Sequence, residues 1–110
     1  MDVVNIKISR LGELTKAVQL RDLCLSTGIA MTLEDSWGGE ITTATIAHIA
    51  GSTPPALLFT STGFNSYNDI HVSPDAQRRA EGKLPVPSAP GLGISVDDKA
   101  LGTPLVTVRG

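Results

Sequence analysis

The sequence predicts an α/β fold with a small parallel sheet. Three observations favour this class: short apolar runs rich in β-branched residues, helical apolar spacing after each of the first two, and short connections between the segments. Strands that alternate with helices in this way form βαβ units with a parallel sheet. A chain of 110 residues is long enough for one small domain with a modest core.

The first strand and helix are predicted over residues 3–8 and 13–27. Residues 3–8 are apolar or β-branched apart from Asn5 and Lys7, as suits a strand buried on both faces. Residues 13–27 have an apolar helical face, and Gly28 stands where a helix-ending glycine is expected. The side chains predicted on that face are Leu14, Ala17, Val18, Leu20, Leu23, Cys24 and Leu25.

The second unit has the same order. A second buried strand is predicted over residues 29–33, followed by the acids Glu34 and Asp35 and a turn at 36–39. A helix follows over residues 40–51, and Pro54 and Pro55 end the unit before a third strand at 56–60. The side chains predicted to face inward from the second helix are Ile41, Ala44, Ala47 or Ile46, and Ile49.

The chain changes character after the third strand. Residues 69–110 hold five of the seven prolines, and we treat them as an irregular segment separate from a first part over residues 1–68. The best helix candidate in this segment is residues 75–82. Short strands are predicted at residues 70–72, 93–96 and 105–108.

Composition excludes several classes of protein. Hydrophobic residues make up 41% and charged residues 18%, which is a globular composition. A net charge of −2 without a basic run argues against nucleic acid as a partner. No stretch approaches the roughly 20 apolar residues of a membrane helix. Cys24 is the only cysteine, so we expect no disulfide and a cytoplasmic location.

Lys7 is the first candidate for chemistry, because ligands of parallel α/β sheets bind where the strands end. A lysine in an apolar strand is costly to bury as an ion, and burial favours the neutral amine, which can accept a proton. The alternative is a strand-end lysine that extends to solvent or pairs with a carboxylate.

Asp35 is the second candidate. Neighbouring residues of a strand point to opposite faces, so at most one of Glu34 and Asp35 faces the ligand-binding edge. We choose Asp35 because it shares the parity of Met31 and Leu33. It could hold a substrate ammonium or a partner lysine. The alternative is capping of the helix at 40–51, whose dipole an acid would complement.

The turn between the second strand and its helix carries Trp37, Gly38 and Gly39. The indole could stack on a cation or a ring, or it could simply pack between helices. The two glycines could bring backbone N–H groups to an anion, or they could only shape the turn.

The remaining reactive side chains have simpler interpretations. His48 is predicted to be solvated on the polar side of its helix, and Cys24 to be a small core residue. Ser61 and Thr62 have no His or Asp partner nearby in the sequence, so a nucleophilic triad has no support.

Three motifs resemble one known family. Residues 5–12, Asn-Ile-Lys-Ile-Ser-Arg-Leu-Gly, are similar to the sixth barrel strand of the muconate lactonizing subgroup of the enolase superfamily. Residues 34–41 with Ala-His-Ile-Ala at 47–50 resemble the seventh strand and helix, and residues 89–94 with Asp97 resemble the C-terminal stretch. The family usually has a second glycine where this chain has Glu13.

This resemblance implies part of a (β/α)8 barrel, about strands 6 to 8, followed by a segment that returns to a capping domain. It implies Lys7 as the acid/base catalyst, with Asp35 and Trp37 orienting the nitrogen of the substrate. The family uses Mg²⁺ to stabilise an enediolate intermediate. The metal ligands are expected on strands three to five, so none lies in this chain.

The Trp-Gly-Gly form resembles members that act on proline-type amino acids and their betaines, such as hydroxyproline-betaine epimerases and cis-3-hydroxyproline dehydratases. We therefore expect a small carboxylate substrate, a racemase, epimerase or dehydratase activity, and a homo-oligomer for the complete enzyme. Two alternatives stay open. One is a muconate cycloisomerase or dipeptide epimerase, and the other is a non-catalytic α/β module that binds a ligand or a partner.

We expect the chain to be a fragment, because a complete barrel needs roughly 250 residues. A cut barrel exposes sheet edges and apolar surface, so the chain alone should be poorly soluble or self-associate, and should have no turnover. In-frame DNA upstream of Met1 should then encode strands with a Lys-x-Lys and three acids.

Overall fold

The computed structural model describes residues 1–108, which fold around a three-stranded parallel sheet. The strands are β1 Val3–Lys7, β2 Ala30–Glu34 and β3 Leu58–Ser61, in the spatial order β1-β2-β3. The helices are α1 Ile8–Leu11, α2 Leu14–Thr27, α3 Glu40–Gly51 and α4 Asp98–Leu101, with a short 3₁₀ helix at Phe64–Tyr67. The predicted parallel α/β arrangement is confirmed.

The two faces of the sheet differ in burial. β1 and β2 pair in register from Val3 opposite Ala30 to Lys7 opposite Glu34. Ile6, Met31 and Leu33 are at most 1% exposed and join the core that also contains Ala17, Cys24, Ile46 and Ile49. Because strand side chains alternate, Asn5 and Lys7 lie on the face opposite to Ile6. The expected burial of β1 on both faces is therefore wrong within the described residues, where Asn5 is exposed.

The end of α2 follows the sequence prediction. Gly28 has a left-handed backbone, with φ of 68°, and its N–H bonds to the carbonyls of the last turn. Cys24 is buried in the core, as predicted. The predicted face is too wide, because Leu14 and Leu23 are 42% and 58% exposed. Small side chains such as Ala17 let α2 approach the sheet along a narrow stripe.

α3 has the predicted bounds but a rotated buried face. Ala44, Ile46, Ala47 and Ile49 are buried, whereas Ile41 is 42% exposed, so its predicted inward position is wrong. The reason is that the C-terminal segment covers the other flank of α3, where Glu40 and Thr43 are buried instead. The same segment covers His48, predicted to be solvated, whose Nε2 lies 3.1 Å from the carbonyl oxygen of Leu92.

The C-terminal segment is irregular, as predicted, but its proposed elements are wrong. Residues 70–72, 93–96 and 105–108 form no strand, and residues 75–82 form no helix. Ala80 and Lys83 exchange two backbone hydrogen bonds around Glu81 and Gly82, whose positive φ angles of 51° and 75° do not occur inside a helix. Arg109 and Gly110, the end of the predicted 69–110 unit, lie outside the described residues.

Side chains, rather than a backbone ladder, hold this segment in place. Asn65 donates from Nδ2 to the carbonyl of Gln77 at 2.7 Å, and Asp75 accepts from the backbone N–H of Ser95 at 2.9 Å. Hydrogen bonds from Ser95 and then from Ser73 lower the pKa of Asp75 to about 2. The segment thus packs on α3; its expected contact with a capping domain stays a prediction.

Candidate active site

The carboxyl ends of the three strands meet at one edge of the sheet. Lys7, Glu34 and Ser61 are the last residues of β1, β2 and β3. This edge is where parallel α/β folds bind their ligands, because loops and helix starts converge there. β1 continues into α1 without a loop, since Lys7 is both the last strand residue and the N-cap of that helix. The predicted strand at 3–8 and helix at 13–27 leave residues 9–12 unassigned, and the short helix α1 is found there.

Lys7 is paired across the sheet. Its Nζ lies 3.3 Å from Oε1 of Glu34, the residue directly opposite it in β2. The same Oε1 accepts a hydrogen bond from Nδ2 of Asn5 at 2.7 Å. The side chains of Lys7 and Glu34 are 32% and 23% exposed, so the pair is partly shielded from water.

Asp35 lies on the other side of the strand end. Its parity with Met31 and Leu33 places it on the helix-packed side of the strand end, whereas Glu34 lies opposite Lys7. The expected role of Asp35 in substrate binding stays a prediction. Asp35 is only 7% exposed and accepts hydrogen bonds from the backbone N–H and the hydroxyl of Ser9 and from the N–H of Ser36.

These contacts decide the charge of Asp35. Burial is the largest single influence and raises the pKa of the carboxyl. The hydrogen bonds from Ser9 and Ser36, together with the positive charge of Lys7, outweigh it and bring the pKa below its ordinary value of 3.8. Asp35 is therefore an ionised anchor that ties the start of α1 to the end of β2, and it does not cap α3, whose N-cap is Gly39.

Trp37 stands on the loop between β2 and α3, and it is 77% exposed. The loop itself is tightly held. A Cβ added to Gly38 would lie 2.4 Å from Cβ of Thr42, so only glycine fits there. Asn68 donates from Nδ2 to the carbonyl of Gly38 at 3.1 Å. The indole is thus presented to solvent from a fixed backbone, and the alternative of packing between helices is not what the described residues show.

Two cavities adjoin this edge. One, of about 160 Å³, is lined by Asp35 and by the starts of α1, α2 and α3. A larger polar cavity of about 340 Å³ lies at the end of β3, with Arg79 as its charged lining residue. Neither cavity is lined by Lys7 or Glu34.

A family model described as enolase C-terminal domain-like matches residues 1–100. The chain belongs to this family. The resemblance that the three sequence motifs carry is therefore confirmed, and with it the TIM-barrel type of α/β fold that the family has. Lys7, Glu34, Asp35 and Trp37 all lie within the matched residues.

Relatives of this enolase C-terminal domain-like chain include enzymes. The cis-3-hydroxy-L-proline dehydratase of Roseibium aggregatum is 49% identical over 105 residues, which are 96% of this chain and 29% of that protein. A mandelate racemase/muconate lactonizing enzyme from Roseovarius nubinhibens ISM superposes with a TM-score of 0.89 at 38% identity, covering 96% of this chain and 28% of the other. The chain thus spans less than a third of the length of these relatives.

A third relative concerns the Mg²⁺ that the family resemblance implies. A member of the enolase superfamily from Roseovarius nubinhibens ISM, solved in complex with magnesium, superposes with a TM-score of 0.90 at 37% identity over 96% of this chain and 29% of its own. Within residues 1–108 of our chain, no group of three or more His, Cys, Asp or Glu side chains could hold a metal ion. The residues present therefore do not form a magnesium site by themselves.

Sequence reasoning did not single out two residues that contact or adjoin Lys7 in the structure, Asn5 and Glu34. The sequence contains a signal for Asn5, since Asn5 and Lys7 are the only polar residues of an otherwise apolar predicted strand and share one face. The partner on β2 depends on the register, which the sequence alone does not give.

Between residues 1 and 108 no helix is both long and apolar enough to cross a membrane.

Proposed function

We propose that Lys7 is the proton-transfer residue of an enolase-superfamily enzyme that removes the α proton of a small carboxylate substrate. The observation that carries the proposal is the position of the Lys7 amine at the carboxyl edge of the sheet, on the face opposite to the apolar core, 3.3 Å from Glu34. An amine in that position reaches into the space that a closed barrel would enclose.

The chemistry assigned to this chain is a single proton transfer. Nζ of Lys7 takes the α hydrogen as a proton, or returns one to the same carbon, and the electron pair of the broken bond stays on the carbon next to the carboxylate. Trp37 offers an exposed aromatic face to a substrate ammonium. We propose that Asp35 acts on the substrate nitrogen through its negative charge and not through a direct hydrogen bond, because its oxygens already accept hydrogen bonds from Ser9 and Ser36.

The substrate class that we propose is a small amino acid or proline-type betaine, with dehydration or racemisation as the reaction. The 49% identity to a cis-3-hydroxy-L-proline dehydratase favours dehydration. A muconate cycloisomerase, a dipeptide epimerase and a non-catalytic module remain as the alternatives that the experiment below separates.

The rest of the site is proposed to lie in other parts of the complete enzyme. β1, β2 and β3 would be strands 6 to 8 of a (β/α)8 barrel, and residues 69–110 would also contact a capping domain. Mg²⁺ would be bound by acids outside this chain. We further propose a homo-oligomer located in the cytoplasm, to which the single, buried Cys24 is suited.

A graft tests this proposal without assuming any sequence beyond the chain. The 105 aligned residues of the Roseibium aggregatum dehydratase are replaced by those of this chain; we call the product the grafted dehydratase. It is incubated in D₂O with cis-3-hydroxy-L-proline, proline and proline betaine, and in separate assays with a muconate and with a dipeptide. We expect loss of water from cis-3-hydroxy-L-proline and exchange of the α hydrogen in at least one of the three proline-type compounds. A folded grafted dehydratase without turnover on any substrate would favour the non-catalytic module.

A matched pair of variants makes the result specific. Lys7→Ala should abolish both reactions, whereas Lys16→Ala, at a lysine whose side chain is 62% exposed, should leave them intact. A folded grafted dehydratase that retains turnover with Lys7→Ala would refute the proposal. Turnover only with muconate or dipeptide substrates would establish the alternative enzyme classes instead.

A further inference from the structure

We infer that Glu34, held by Asn5, is a positioning residue that fixes the amine of Lys7 in its place for proton transfer. This inference rests on the proposed role of Lys7. It adds two residues to the machinery, and neither contacts the substrate in the role that we assign to it.

Two donors converge on one oxygen atom of Glu34. The amide of Asn5 donates to Oε1 at 2.7 Å, and Nζ of Lys7 lies 3.3 Å from the same Oε1. Asn5 and Lys7 are two residues apart in β1, so their side chains lie on one face of the sheet and meet Glu34 from the same side. Rotation of the Glu34 side chain would break both contacts at once.

This arrangement differs from an ordinary surface ion pair. Lys16 and Glu13, on the solvent side of α2, lie 3.9 Å apart with side chains 62% and 53% exposed. Such pairs contribute little, because the ordering of two long side chains offsets the attraction. Lys7 and Glu34 are 32% and 23% exposed, and the strands that carry them are fixed by the register. The chain therefore supplies a matched internal control.

The positions of the neighbouring charges leave Glu34 as the residue that holds Lys7. The charge of Lys7 also acts on Asp35, but the oxygens of Asp35 accept hydrogen bonds from Ser9 and Ser36. A lysine side chain has many rotamers, and a single fixed partner restricts them. Misplacement of a reacting group by 1 Å lowers a rate by roughly 100-fold. Loss of the Glu34 contact should therefore slow the chemical step.

The experiment measures α-hydrogen exchange in D₂O by the grafted dehydratase and four of its variants. Glu34→Gln should lower kcat by about 10- to 100-fold with KM changed less than about threefold, since it removes positioning and not substrate contact. Asn5→Ala should lower kcat in the same direction. The double variant should be no slower than Glu34→Gln, because both changes act on one contact. Glu13→Gln should behave as the unaltered protein.

The outcomes separate this inference from the function on which it rests. Retention of full kcat by Glu34→Gln, while Lys7→Ala is inactive, would overturn the inference and leave the proposed function standing. A rise in KM with unchanged kcat would also overturn it, and would make Glu34 a substrate contact. If Lys7→Ala is active, the proposed function of Lys7 is wrong, and the inference about Glu34 is overturned with it. Equal melting temperatures of Glu34→Gln and the unaltered protein would show that the slower rate is not a loss of folding.

Discussion

Lys7 and Glu34 face each other across neighbouring parallel strands, with Nζ and Oε1 3.3 Å apart at the carboxyl edge of the sheet. The strand alternation that buries Ile6 and Leu33 against the helices brings this pair to the opposite face. The core and the candidate site are thus two faces of the same strands. A substitution on one face can be tested without rebuilding the other.

The isolated chain should self-associate. β1 and β3 are the outer strands of the described sheet, and Phe59 in β3 is 72% exposed. Unpaired strand edges and exposed apolar side chains favour association. Analytical ultracentrifugation should show oligomers of the unaltered chain. Phe59→Lys should shift the distribution toward monomer, whereas Thr60→Lys, next to it in the same strand, should do so less. A monodisperse monomer of the unaltered chain would contradict this prediction.

A second buried carboxylate should stabilise the C-terminal segment. Glu40 is 1% exposed, its Oε1 lies 2.6 Å from Nδ1 of His71, and its Oε2 accepts from the N–H of Val72 at 3.3 Å. Glu40→Gln should lower the free energy of unfolding by about 2 kcal/mol, because a hydrogen bond to a charged group is lost. The free energy of unfolding is measured by urea titration, with and without Glu40→Gln, in the Phe59→Lys chain, which is expected to be more monomeric than the unaltered chain. Glu81→Gln, at an exposed site, is the control.

The contribution of Glu40 should depend on pH with a definite sign. Burial, the largest influence, raises its pKa, but the bonds from His71 and the backbone outweigh it, and the pKa lies below its ordinary value of 4.5. The stabilisation is therefore complete above pH 4.5 and is lost as the pH falls through the lower pKa of the folded state. Glu40→Gln should lose less stability on acidification than Glu81→Gln, and the remaining loss comes from Asp35 and Asp75, whose pKa values are also lowered. A parallel loss in Glu40→Gln and Glu81→Gln would count against the assignment.

The loop that presents Trp37 should not tolerate a methyl group at residue 38. Gly38→Ala would bring the new Cβ to 2.4 Å from Cβ of Thr42. We expect a lower melting temperature of the grafted dehydratase and a higher KM, because the loop must move and the indole with it. Gly63→Ala is the matched control, since its Cβ would have its closest neighbours at 3.6 Å. Equal melting temperatures of the two variants would be inconsistent with the structure.

How much the sequence predicts differs between the elements and the site. The bounds of α3 and the end of α2 at Gly28 follow from local signals, namely helical spacing and a left-handed glycine. The buried face of each helix does not follow from local signals, because it depends on which distant segments of the chain pack against the helix. Ile41 is exposed since residues far along the chain cover the opposite flank of α3, and no periodicity within α3 contains that information.

The same distinction holds at the ligand edge. Lys7 is found by its unusual residue type in an apolar strand, and Trp37 by its place in a turn. Glu34 is missed because only the register of β1 against β2 shows that it lies opposite Lys7. The missing second glycine of the family motif has a physical explanation too. Glu13 has an extended backbone, with φ of −160°, which any residue adopts.

The central claim is that the amine at position 7 transfers the proton, and restoring that amine chemically tests it most directly. Lys7→Cys in the grafted dehydratase removes the amine, and alkylation of the new thiolate with 2-bromoethylamine releases bromide and rebuilds a lysine-like side chain. Cys24 is 3% exposed, and the treated Lys7→Ala variant controls for other cysteines.

The measurement is incorporation of deuterium at the α carbon of the substrate, followed by mass spectrometry. The account predicts that Lys7→Cys is inactive, that alkylation restores at least about a tenth of the original rate, and that treated Lys7→Ala stays inactive. Exchange by Lys7→Cys before alkylation, at the rate of the unaltered protein, would contradict it.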